Sequence, residues 1–317
     1  MDRRFLIKNL LAVAFGTLMV LTSELLRTPA ILFPEILALL TGMWVTPRMP
    51  WRVRRWEIPL LMTVCAVWGA ALSRWSPLST AWTICIAFAG AVLLLLAVRS
   101  TLLPVLSACI LPVLLGEHSW VYPAAVAVMT VLLCLGQTLL ERYDLRKPQA
   151  PETWRWNGRE EALRWPVAIG TVTALAAVGV SMGTPCVAAP PLAVLLSELS
   201  FRESPAAPFS MQIWAGTVCC AAAGALARWV LCVRLGLPLT VAALAASAMA
   251  MAVFVLLRKP FPPSAALALL PLLLPETLIP TYPAQVAVGG LICLLAAAGI
   301  RQATAGKPIL IKTKPPV

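Results

Sequence analysis

The feature that most constrains this chain is a succession of apolar segments broken by short polar turns and by one longer polar stretch at 142–164. They lie at 8–26, 28–45, 57–75, 77–98, 101–116, 121–141, 165–183, 185–201, 211–231, 236–257, 260–275 and 281–300. A straight helix needs about 20 apolar residues to cross the hydrocarbon of a bilayer. Several of these segments have only 16–18 residues, and the fifth and eleventh, short and proline-containing, read as re-entrant or broken helices. Composition agrees with a membrane setting. The chain is 60% hydrophobic and 12% charged, whereas soluble domains carry about a quarter charged residues. An ordinary soluble enzyme, a disordered chain and a coiled coil are excluded, which leaves an all-α polytopic membrane bundle. The first apolar run leads into the second without a small-residue cleavage site, so no cleavable leader is expected.

Charge placement gives the expected orientation. With the N-terminus inside, 21 of the 25 Lys and Arg fall on the inner side, leaving Arg27, Arg74, Arg228 and Arg234 outside. That asymmetry follows the positive-inside rule. It predicts a bacterial-type inner membrane protein with both termini cytoplasmic. The net charge of +12 then belongs to a face against anionic lipid. The bilayer is therefore the expected partner and nucleic acid is not; the oligomeric state is open, a homo-oligomer included. Trp44, Trp51, Trp56, Trp75, Trp120, Trp165 and Trp229 sit at segment ends, where amphipathic rings favour the interface. Nine cysteines lie in or beside apolar runs with no Cys-x-x-Cys pair, and read as small buried hydrophobes.

An internal repeat organises the chain. Thr28-Pro29 to Pro34 recurs as Thr184-Pro185 to Pro190, and Leu72-Ser73-Arg74-Trp75 as Leu226-Ala227-Arg228-Trp229. Arg99, Pro104, Pro112 and Glu117 match Arg258, Pro263, Pro271 and Glu276, and Tyr122-Pro123-Ala124 matches Tyr282-Pro283-Ala284. Six segments per unit, an even number, predict parallel repeats. The expected organisation is a first repeat at 1–141, a basic linker at 142–164, a second repeat at 165–301 and a disordered tail at 302–317.

Chemistry-bearing residues are sparse. The single histidine, His118, and the two aspartates, Asp2 and Asp144, form no triad, carboxylate pair or metal cluster. No enzyme, metal or cofactor is expected. Ionisable groups inside apolar segments cost several kcal/mol to bury and so mark function by default. Glu35 and Glu198 are the candidates, as gating or proton-coupling groups. Arg74 and Arg228 read as side chains snorkelling to the outer headgroups. In Arg258-Lys259-Pro260-Phe261-Pro262-Pro263-Ser264, proline frees backbone groups and opens a helix. The positive end of that helix, with Arg258 and Lys259, would face an anion. Packing of the helix start at the interface explains the same residues equally well.

The second half resembles the HPP family of integral membrane proteins. The resemblance rests on Ser204-Pro205-Ala206-Ala207-Pro208, Gly216 with the Ala-rich helix to Arg228, Arg258 through Pro262-Pro263-Ser264-Ala265-Ala266, and Pro275-Glu276. The histidine position of the family's His-Pro-Pro motif holds Phe261. The resemblance implies a carrier or channel for a small, nitrite-like anion between two repeats. Arg258, Lys259, Pro263 and Ser264 would bind the anion in one half, Arg99 and Pro104 in the other. The six-segment unit is also similar to aromatic-acid exporters of the fusaric-acid-resistance type, and a non-transporting membrane scaffold is a third reading.

Overall fold

A computed structural model describes residues 3–149, 157–202 and 204–304, and among them there are helices and no strands. Eight helices are long and apolar enough to cross a membrane. They are α1 (Arg3–Leu25), α3 (Glu57–Trp75), α4 (Thr80–Val98), α6 (Val121–Arg142), α7 (Gly158–Ser181), α9 (Ser210–Ala227), α10 (Leu239–Leu257) and α12 (Tyr282–Thr304). Four short ones lie between them: α2 (Glu35–Leu40), α5 (Pro104–Leu115), α8 (Pro190–Leu199) and α11 (Pro262–Leu269). Extra turns lengthen α2, α8 and α11, so the short apolar stretches run Pro29–Val45, Pro104–Leu115, Pro185–Leu199 and Pro262–Leu273.

Each short stretch opens on a proline, for a local reason. Proline lacks the N–H that the first helical turn would leave unpaired, and its fixed φ suits that position. Apart from Glu35 in α2 and Glu198 in α8, the short helices are apolar on nearly every face, which drives them to the centre. Every residue of α2 and α11 is buried, as is α5 from Pro104 to Val113. The long helices keep one apolar face outward, as Leu10, Leu93, Leu135 and Leu256 show. The result is a core of four short helices ringed by eight long ones.

Segments two and eight thus share the short form of five and eleven, and all four traverse the bundle. Phe33 meets Tyr122 at the start of α6, while Trp44 lies against Gly136 near its end. Along α5, Thr101 N–H reaches the Arg52 carbonyl below α3, and Ser73 at the top of α3 donates to the Pro112 carbonyl. Cys186 N–H donates to Gln285 near the start of α12, and Arg301 near its end donates to the Leu199 carbonyl. Gln212 in the first turn of α9 donates to the Leu257 carbonyl just before α11, and Arg228 after α9 reaches Pro271 and Leu274.

Packing partners recur in the two halves. Helix α3 packs on α5 and α6, as α9 packs on α11 and α12. Across the halves, α1 packs on α10 and α4 on α7, while α2 packs on α11 and α5 on α8. The closest approaches recur too. A Cβ on Gly69 would collide with the Cys109 carbonyl, and one on Gly224 with the Ala268 carbonyl. Tyr122 and Tyr282 are both buried, and each hydroxyl donates to a core carbonyl, Ala108 or Leu267, at 2.9 Å.

The ends of the short helices explain several basic residues. A helix C-terminus leaves carbonyls unpaired, and at membrane depth no water meets them. Arg146 donates to the Thr46 carbonyl at 2.7 Å, Arg301 to Leu199, and Arg228 to Pro271 and Leu274. Arg228 is therefore held by backbone carbonyls and does not snorkel. Arg74 is exposed and, among the described residues, reaches only the His118 carbonyl, at 3.4 Å. Burial pulls the Arg146 guanidinium below its ordinary pKa, with Glu141 opposing the shift.

Two other expectations change. Helix α7 begins at Gly158, inside the stretch read as linker, because Glu160 and Glu161 in its first turn suit a helix N-terminus. Of the tryptophans expected at the interface, Trp44, Trp51 and Trp165 are buried, while Trp56, Trp75 and Trp120 stay exposed. Trp51 fills the space left by Gly42, and Trp44 that left by Gly136. All nine cysteines are free, and five are buried. The tail from residue 305 onward and the linker positions 150–156 lie outside the described residues.

Candidate functional site

The polar chemistry gathers at the basic end of the bundle. A cavity of about 830 Å³ opens there between the halves. The first half supplies Pro50, Trp51 and Arg52 from the loop before α3, with Thr101 and Leu103 from the start of α5. The second half supplies Asn157, Glu160 and Glu161 from the start of α7, and Glu198, Phe201, Arg202, Ser204, Pro205 and Ala206 around the end of α8. Cavities of this size suit small organic ligands.

Most charges in the wall are paired. Arg164 is 3% exposed. Its guanidinium lies 3.0 Å from the Glu161 carboxylate, 3.6 Å from the Phe201 ring centre and 4.1 Å from that of Trp165. Arginine suits such a site because its flat group stacks on rings while its edge pairs with a carboxylate. Arg202 lies 3.6 Å from Glu160. The first-half loop is fixed to α6, since both Glu141 oxygens accept from Arg55, at 2.6 and 2.7 Å. Gln149 holds the same loop through Met49 and Pro47.

Beyond the Arg164–Glu161 ion pair, whose Arg164 Nε and Nη2 and Glu161 Oε2 make no hydrogen bond among the described residues, two further polar atoms in the wall have neither. Trp51 is 2% exposed, and its indole N–H has no hydrogen-bond partner among the described residues. Glu198 Oε2 is likewise buried and unpartnered among them.

A second carboxylate lies deeper. Glu35 opens α2 and is 1% exposed. Ser107 donates to its Oε1, and its Oε2 has no hydrogen-bond partner among the described residues. Leu103 lines the cavity, and Ser107 is one turn further along α5, about 6 Å at 1.5 Å per residue. Glu198 and Glu35 thus border the core at two depths.

The remaining sequence candidates lie elsewhere. Arg99 and Arg258 are exposed and cap α4 and α10 in the left-handed region, each with φ 53°. The Lys259 ammonium sits 3.4 Å from the Phe209 ring centre. Pro263 is buried in the first turn of α11, and Ser264 hydrogen-bonds Thr217 at 2.7 Å. Pro104 is buried at the first position of α5. Of the candidates, only Glu198 lines the cavity. Sequence reading missed Trp51, Phe201, Arg202 and the pair Glu160-Glu161. The adjacent glutamates in an otherwise basic linker were the one available signal.

Comparison of the chain with protein-family models, curated proteins and solved structures finds no match in any of the three.

Proposed function

We propose that this chain is a membrane transporter or channel built from two parallel HPP-like repeats, with the cavity between them as the solute's entrance. The cavity itself carries the proposal, since both halves wall it and it ends on a core of short, interrupted helices. Such interrupted helices are tolerated at membrane depth where protein or a wet path covers their ends. Transporters with internal repeats keep their solute sites at the repeat interface. Glu35 and Glu198 are the coupling or gating groups in this reading. The small-anion form of the reading needs Arg99, Arg258 and Lys259 around one space, and their positions lend it no support.

Proteoliposome uptake tests the reading. Labelled nitrite, 4-hydroxyphenylacetate and tyramine are offered to the purified full chain, beside Ser204→Trp, which fills the cavity wall. Saturable flux of any of them, blocked in Ser204→Trp, supports transport through this cavity. Folded protein that moves none of them overturns it.

A further inference from the structure

We infer that the cavity between the halves binds a small organic cation, an ammonium ion carrying a hydrogen-bond acceptor, with Glu198 as its charge partner and Trp51 as its donor. The inference rests on the transport reading only for its biological purpose; the binding site stands on its own geometry.

The sign of the ligand follows from which charges are already engaged. On the cationic side, Arg164 is buried, paired with Glu161 and enclosed by two rings. Arg202 pairs with Glu160, and Arg52 has a partner of its own. An incoming anion would have to compete with the contacts these guanidinium groups already make. On the anionic side, Glu198 is left over, with no ion pair among the described residues and a buried, unpartnered oxygen. A carboxylate oxygen held out of water with neither donor nor cation is costly, and a bound ammonium offsets that cost.

The rest of the wall fits the same ligand. The Trp51 indole can only donate, so it calls for an acceptor on the ligand, and its N–H is otherwise unused among the described residues. A volume near 830 Å³ holds an organic molecule and far exceeds a bare metal ion. Among the described residues, no group of three or more His, Cys, Asp or Glu is arranged to hold a metal. Cation, acceptor and organic size together specify the class.

Three probes with one ring and different charge test it: tyramine, neutral 4-ethylphenol and anionic 4-hydroxyphenylacetate. Binding to the full chain in nanodiscs is read by equilibrium dialysis. Tyramine is expected to bind saturably, at least tenfold tighter than 4-ethylphenol, with the anion weakest. Glu198→Gln should abolish the preference for charge, and Trp51→Phe should weaken tyramine several-fold without abolishing it. Arg258→Ala should change nothing. If Glu198→Gln fails to fold, Glu198→Asp, which keeps the charge on a shorter arm, should weaken tyramine while preserving the order of the probes. An anion that binds tightest, or a preference surviving Glu198→Gln, overturns the inference. Tyramine binding without any flux in proteoliposomes defeats the transport reading alone. Nitrite flux without tyramine binding defeats this inference alone.

Discussion

Glu24, at the end of α1, accepts the backbone N–H of Thr240 at 2.9 Å, and so caps the first turn of α10 from the opposite half of the chain. Leu239 N–H reaches the same carboxylate at 2.6 Å, and the Thr240 hydroxyl completes the set. A helix start without a local cap thus borrows one from a residue 216 positions away. Loss of a cap costs about 1 kcal/mol. Glu24→Ala should lower the thermal midpoint by a few degrees, and Thr240→Val should add little on top of it. Full additivity in a double-mutant cycle would show that the two do not act as one cap.

The two glycine contacts make a sharper test of packing. Gly69→Val and Gly224→Val place side chains against the backbone of α5 and α11, which cannot move like a side-chain tip. Both should destroy monodisperse protein in size-exclusion chromatography. Gly170→Ala, in a helix and facing open space, is the control. It should stabilise by about 0.5–1 kcal/mol through lost unfolded-state freedom.

Arginines at the short-helix ends should matter unequally. Removing the donor from a buried acceptor costs about 1–3 kcal/mol. Arg228→Met and Arg301→Met should each lower the midpoint, because Pro271, Leu274 and Leu199 lose their donor. Arg74→Met should be near neutral, since its one hydrogen bond among the described residues is long and exposed. An equal loss in Arg74→Met would mean that the two positions do the same job.

Arg99 and Arg258 offer the opposite sign. A left-handed conformation costs a non-glycine residue about 1–2 kcal/mol, and both take φ 53°. Arg99→Gly and Arg258→Gly should therefore raise stability, as glycine does at a helix C-cap. If stability rises and uptake collapses, the arginines carry the solute after all.

Glu35 separates stability from function. Replacing a buried polar pair by apolar groups of similar size is often neutral or stabilising. Glu35→Leu with Ser107→Ala should fold at least as well as the parent and lose uptake. Ser107→Ala alone should destabilise, because the Glu35 carboxyl then loses its one hydroxyl donor. Undiminished uptake in the double variant would make Glu35 structural.

Much of the fold can be read from residue order, because membrane crossing depends on local properties. Apolar length marks the segments, and Pro29, Pro104, Pro185 and Pro262 open the four short stretches. The rest depends on side chains that meet across the bundle. Trp51 looks like an interfacial residue until Gly42 gives it a slot, and Arg228 looks like a snorkelling one until unpaired carbonyls of the α11 stretch stand before it. Sequence by itself determined a helical membrane bundle with carboxylates inside apolar segments at Glu35 and Glu198. Tertiary structure decided that Glu161 has Arg164 while Glu198 has no partner among the described residues, and that residues near Trp51 and Phe201 wall one cavity. The physical reason is distance along the chain. Segment length and helix starts depend on neighbours a few residues apart, whereas pairs such as Arg146 with Thr46, 100 positions apart, exist only once the helices have packed.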